Sequence, residues 1–115
     1  MAVGKFVIAI QALHPEITTK AMFGGYGVYL RGVICGIIVD SQLYLKVDST
    51  NRERYEKMKS TPFTYQGHGG KPYAMSYWLV SGKTIQEHEK ILELLEESYE
   101  VSMRSKRKKN EKTSN

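Results

Sequence analysis

The sequence predicts an α+β domain in which one mainly antiparallel sheet is packed by helices, in the order helix, three strands, helix, two strands, helix. Three observations carry that expectation. Apolar residues recur at helical spacing near both ends, the middle reads as short alternating runs divided by turn residues, and helix-capping types stand where the period changes. The 115 residues suffice for one domain whose single core needs neither a disulfide nor a metal.

Val3, Phe6, Val7, Ile10 and Leu13 share one helical face, and His14-Pro15 stops that helix. In Met22-Phe23-Gly24-Gly25-Tyr26-Gly27-Val28-Tyr29-Leu30 the glycine pair reads as a kink or bulge where the first strand begins. Tyr26, Val28 and Leu30 then alternate with Gly27, Tyr29 and Arg31, and Arg31-Gly32 turns the chain into the almost wholly apolar run Val33 to Val39. Asp40-Ser41 turns it again. Leu43, Leu45 and Val47, alternating with Tyr44 and Lys46, complete a three-stranded meander.

Thr50-Asn51-Arg52-Glu53 fits a capping box that opens a short, mostly wet helix through Lys59. Thr61-Pro62 ends it, Phe63 and Tyr65 begin a fourth strand, and Gly67-His68-Gly69-Gly70 is a loop. In the fifth strand, Tyr73 to Val80, the residues Tyr73, Met75, Tyr77 and Leu79 face one way and Ala74, Ser76, Trp78 and Val80 the other. Thr84-Ile85-Gln86-Glu87 is a second capping box. It opens the last helix, whose stripe is Ile85, His88, Leu92, Leu95 and Tyr99, widened by Ile91, Leu94 and Met103.

The net charge of +5 is localised. Residues 104–115 hold six basic side chains against Glu111, whereas residues 1–103 hold 11 basic and 11 acidic ones. The expected organisation is therefore a neutral domain over 1–103 and a basic tail over 104–115, either disordered or a frayed extension of the helix. A neutral domain argues against a basic nucleic-acid-binding face on its body. The tail supplies the candidate nucleic-acid contacts: Arg104, Lys106, Arg107, Lys108, Lys109 and Lys112, for weak binding indifferent to sequence.

No residue pattern assigns a catalytic, cofactor-binding or metal-binding role. Cys35, the only cysteine, lies among Val33, Ile34, Ile37 and Ile38 and reads as packed core, because burial disfavours the thiolate a nucleophile needs. His14, His68 and His88 are far apart and share no metal-type spacing with Cys35. Gly82-Lys83-Thr84 imitates the end of a phosphate-binding loop, but position 77, where that motif needs glycine, is Tyr77. Asp40 and Asp48 read as turn and cap residues, and the Gly67–Lys71 loop is a weak candidate for holding an anion. A lone buried cysteine and the lack of an apolar run of membrane length give the expectation of a cytoplasmic protein with no membrane partner.

Eight tyrosines, Trp78 and Phe63 concentrate in the strands. Few basic residues interleave with them, so they suggest a protein partner rather than stacked bases. The candidate partner surface is Tyr26, Tyr29, Tyr65, Tyr77 and Trp78. An edge strand or the same aromatics could also support a homodimer.

Four blocks in order, Met22-Phe23-Gly24-Gly25-Tyr26-Gly27-Val28-Tyr29, Leu43-Tyr44-Leu45-Lys46-Val47-Asp48, Pro62-Phe63-Thr64-Tyr65 and Ala74-Met75-Ser76-Tyr77-Trp78, resemble the N-terminal domain of the TfoX/Sxy family, bacterial regulators of competence. The resemblance covers residues 5 to 103 and implies a fold similar to type III secretion chaperones. It further implies positive control of DNA-uptake genes, in concert with the cyclic AMP receptor protein, with no catalytic residues to carry over. Longer members add a C-terminal helical domain, and the expectation here is the N-terminal domain without it. The reading that follows is a non-enzymatic regulatory or adaptor domain that acts through protein contacts.

Overall fold

A computed structural model describes residues 4–22, 24–66 and 72–113. It is an α+β fold of ten elements: α1 (Lys5–Gln11), β1 (Ile17–Met22), β2 (Gly25–Leu30), β3 (Val33–Val39), β4 (Gln42–Lys46), α2 (Arg52–Lys57), β5 (Pro62–Gln66), β6 (Pro72–Val80), α3 (Gly82–Gln86) and α4 (His88–Thr113). The strands form one sheet in the order β1-β2-β3-β4-β6-β5, every neighbouring pair antiparallel. The expected fold class stands, with one strand more than expected in the meander.

That extra strand is β1. Only Ile17 of its six residues is buried, so at an edge it lacks the apolar alternation that marks a half-buried strand. The glycine pair therefore does not open the first strand; it closes a β1–β2 hairpin in which Met22 pairs with Gly25. Gly24 takes φ 79°, a left-handed turn conformation, and a Cβ on Gly25 would collide with the Ile38 carbonyl oxygen. The next two hairpins turn on two residues each, with positive φ at Arg31 (51°) and Gly32 (78°), then at Asp40 (50°) and Ser41 (58°). Two central residues of positive φ match the turn to the twist of the flanking strands.

One face of the sheet is covered. Val28, Leu30, Cys35, Ile38, Leu43, Leu45, Val47 and Val80 point from it into a core shared with Val7 and Ile10 of α1, Tyr55 of α2, and Ile91, Leu94 and Leu95 of α4. Between β2 and β3 the register shifts, so that Val28 pairs with Gly36 and Tyr29 with Ile34, leaving Cys35 as the extra residue of a bulge. The β3–β4 ladder ends at Gly36 and Leu45. Beyond it α4 supplies the missing partners: the buried hydroxyls of Ser98 and Ser102 donate to the carbonyls of Lys46 and Ile34.

Four details differ from the sequence reading. The last helix is two helices, because Glu87 is extended (ψ 90°) between α3 and α4. Its N-cap is Ser81, whose side chain accepts from the Thr84 amide, so Thr84 receives the cap instead of providing it. Asn51 precedes α2 without capping it; its buried amide accepts from the Asp48 N–H and donates to the Lys46 carbonyl, while Asp48 Oδ1 accepts from both the amide and the hydroxyl of Thr50. The buried stripe of α4 is Ile91, Leu94, Leu95, Ser98, Val101 and Ser102, so that of the expected residues Ile91, Leu94 and Leu95 belong to it, Ile85, Leu92 and Tyr99 pack against the core, and His88 is exposed.

The glycine pair gives a ranked prediction. Gly25→Ala should destabilise by about 1–3 kcal/mol through the enforced collision with β3, and Gly24→Ala, in open space at positive φ, by about 0.5–1 kcal/mol. Chemical denaturation of the two variants checks the order.

Candidate partner surface

The sheet's second face carries no helix among the described residues. Strand alternation and pairing put Met22, Tyr29, Ile37, Tyr44, Lys46, Tyr77 and Leu79 on it, since Ile37 pairs with Tyr44, Tyr44 with Leu79 and Lys46 with Tyr77. Each is half-buried by its neighbours. Met22 and Tyr29 close over Gly27, where a Cβ would stand 2.8 Å from Met22 Cε and 3.0 Å from Tyr29 Cε1. Phe63 meets the Tyr44 ring edge-on with centroids 5.0 Å apart.

Lys46 lies within this aromatic field. Its Nζ lies 4.9 Å from the Tyr77 ring centroid. Burial lowers its pKa below the ordinary lysine value, partly opposed by Asp48. Burial also raises the phenols of Tyr77, near Cys35 and Tyr29, and of Tyr44, near Asp40. Both stay neutral hydrogen-bonding groups at physiological pH.

The five aromatics expected to form one surface are divided between the two faces. Tyr29 and Tyr77 lie on the uncovered face. Tyr26 and Trp78 pack against the core on the helix side, where Trp78 sits 6.4 Å from Tyr55 and beneath the Arg52 guanidinium. The Tyr65 side chain is outside the described residues. What sequence reasoning missed, Tyr44 and Lys46, was present in the alternation of β4: once Leu43, Leu45 and Val47 point inward, the residues between them point out.

The basic segment is helical over its described residues. α4 runs unbroken to Thr113, so the chain continues past Met103 as helix. Arg104 belongs to the folded body: its Nη2 donates to Thr50 Oγ1 at 2.6 Å and to Asp48 Oδ2 at 3.3 Å. Lys106 and Arg107 are exposed on the helix. The side chains of Lys108, Lys109 and Lys112 are outside the described residues.

The other groups singled out from sequence stay separate. Cys35 is fully buried, and its thiol is pushed up to about 12 by desolvation first and the Glu96 charge second. His14 Nδ1 accepts the Glu16 amide, and His68 with the Gly67–Lys71 loop lies outside the described residues. Lys83 and Thr84 belong to α3. Among the described residues no three His, Cys, Asp or Glu side chains gather to hold a metal, and no helix is long and apolar enough to cross a membrane.

A bidentate ion pair anchors α4. Arg31 donates to both carboxylate oxygens of Glu96, at 3.0 and 2.7 Å, and to Glu16 at 3.2 Å, with its guanidinium 5.0 Å from the Tyr99 ring centroid. These bonds hold the Glu96 carboxyl below its ordinary range, and they raise Arg31 further above its own. Asp48 is also lowered: burial pulls it up, but Thr50 and Arg104 outweigh that.

An open antiparallel sheet with helices on one face and aromatic side chains on the other defines the chain as an α+β domain. Residues 9–102 match the family model of the TfoX N-terminal domain, and the chain belongs to that family. No curated protein matches it.

Two outcomes test the electrostatics. The Cys35 thiol should resist aromatic disulfide reagents in the native protein and react fully once denatured, as timed thiol titration would show. A carboxylate whose folded pKa is depressed stabilises above its ordinary value and loses that contribution as pH falls through the folded value. Stability should therefore fall as the pH drops below the ordinary glutamate value of 4.5. Arg31→Met should make that fall shallower in acid denaturation.

Proposed function

We propose that this domain is a non-enzymatic regulator of the kind the TfoX family comprises, acting on the control of DNA-uptake competence through protein contacts made by the uncovered sheet face. The observation that carries the reading is that Tyr29, Tyr44 with Phe63 against it, and Tyr77 lie on the uncovered face with the half-buried Lys46 among them. Rigid aromatics near the centre of a surface are what interfaces use as anchors. A cation already part-desolvated among them favours a partner segment that brings apolar side chains and a carboxylate.

In bacteria that carry the domain, a competence-gene reporter should be activated by the wild type. Tyr77→Ala and Lys46→Met should both reduce activation while circular dichroism and melting stay close to wild type. Full activation by both variants would contradict the reading.

A second reading, weak nucleic-acid binding through residues 104–112, is supported by the helical continuation of α4 with Lys106 and Arg107 exposed. Arg104 is committed to Asp48 and Thr50, which leaves five basic groups. The log of affinity should fall with log salt at a slope no steeper than about −4.5. Removal of residues 105–115 should abolish the binding, and unchanged affinity would exclude this route.

A further inference from the structure

The two edges of the sheet are built differently. At one, β5 begins with Pro62 and its register with β6 shifts between Pro62 and Thr64, both devices that discourage further strand pairing. At the other, β1 pairs with β2 in unbroken register over six residues and contains neither proline nor bulge. Lys20 is its sole charged side chain.

The hydrogen bonds identify which groups of β1 face outward. The Arg31 amide donates to the Glu16 carbonyl at 3.1 Å, continuing the register of Ile17 with Leu30. Residues bonded toward β2 alternate in an antiparallel ladder, so Thr18, Lys20 and Met22 bond inward. Thr19 and Ala21 aim their amides and carbonyls away from the sheet, as does the Ile17 carbonyl, while the Ile17 amide is taken by His14. Among the described residues none of these outward groups has a partner.

We infer that β1 pairs with β1 of a second copy of this chain, antiparallel about a two-fold axis through Thr19. The two sheets must keep their helix faces on the same side, so paired residues must share a face and the axis must pass through a residue. An axis at Lys20 sets the two ammonium groups directly opposite each other, which is destabilising. An axis at Thr19 opposes Ile17 to Ala21 and Thr18 to Lys20, with no like charges facing. It also lets the outward groups answer one another: each Thr19 amide donates to the other Thr19 carbonyl, and each Ala21 amide to the opposite Ile17 carbonyl. The helix resting on this edge, joined to it by Gln11 Nε2 to Thr19 Oγ1 at 2.7 Å, carries Ile8, the one large apolar side chain exposed among the described residues (54%). The occupant is a second copy because the pairing is isologous and closes on itself, leaving β5 as the protected outer edge of a twelve-stranded sheet.

Sedimentation velocity over a wide concentration series tests this with the full chain. The wild type should show a reversible monomer–dimer equilibrium. Thr19→Pro removes an outward amide and the Thr19 Oγ1 acceptor of Gln11, neither of which bonds to β2, and should leave a folded monomer at every concentration. Thr18 and Lys20 are both exposed. Thr18→Glu should therefore tighten the dimer and Thr18→Lys weaken it, each by roughly two- to thirtyfold, since two cross-strand pairs change at once. If Thr19→Pro fails to fold, the opposite responses of the two Thr18 variants still decide. A wild type that stays monomeric throughout, or a dimer whose dissociation constant ignores both Thr18 changes, would overturn the inference.

Discussion

The docking of α4 across the sheet is the interaction on which the remainder depends. A meander of short strands cannot bury both faces by itself, and here a single long helix covers the centre of one. Ile91, Leu94 and Leu95 are each almost fully buried against β2, β3 and β4. Burying one such side chain contributes about 1.5–3 kcal/mol relative to leaving it exposed. Ser98 and Ser102 add direction to that non-directional term. Where the β3–β4 ladder stops, the Ile34 carbonyl would lie under the helix without a partner and the Lys46 carbonyl would keep only the Asn51 side-chain amide, and an unsatisfied buried carbonyl costs about 1–3 kcal/mol. Each serine meets one of them, which fixes the helix along its axis as well as against the sheet.

Around that contact three arginines hold α4 at its margins. Arg31 reaches Glu96 from the β2–β3 turn, Arg54 reaches Glu93 and Glu97 from α2, and Arg104 reaches back to Asp48. All are substantially exposed, and exposed pairs contribute about 0–1 kcal/mol each. Their value lies in geometry rather than strength. The Tyr55 hydroxyl and one Glu97 oxygen are buried between α2 and α4 with no hydrogen-bond partner among the described residues, and burial raises the Tyr55 phenol despite the neighbouring Ser98 hydroxyl. The cover is also one-sided. With the helices on a single face, aromatic and aliphatic residues of β2, β3, β4 and β6 must shelter one another on the opposite face, and Lys46 is stranded among them.

The parts legible in the sequence are those where a local pattern and the tertiary structure agree. β2, β3 and β4 read correctly because their alternation and two-residue turns are consequences of lying inside the sheet. β1 was illegible because an edge strand needs little apolar surface, and Ile17-Thr18-Thr19-Lys20 resembles a linker unless the Gly24-Gly25 hairpin behind it is recognised. The apolar members of the α4 stripe were legible, since Ile91, Leu94 and Leu95 are buried and Leu92 and Tyr99 pack against the core, but its two serines look like surface residues. Their role exists only opposite carbonyls that a break in the strand ladder exposes, which no helical periodicity encodes. The same limit governed the aromatic surface. Tyr26 and Trp78 are indistinguishable by type from Tyr29 and Tyr77, and only strand register separates the packed pair from the open one.

If α4 is the element that completes the core, it cannot open while the sheet beneath it stays intact. Native-state hydrogen exchange measures this directly, by comparing the opening free energy of amides from Ile91 to Ser102 with those of β3 and β4. The account predicts that both sets exchange only through global unfolding, at one common free energy and with the same dependence on denaturant. Exchange of α4 at a clearly lower free energy, with β3 and β4 still protected, would contradict it.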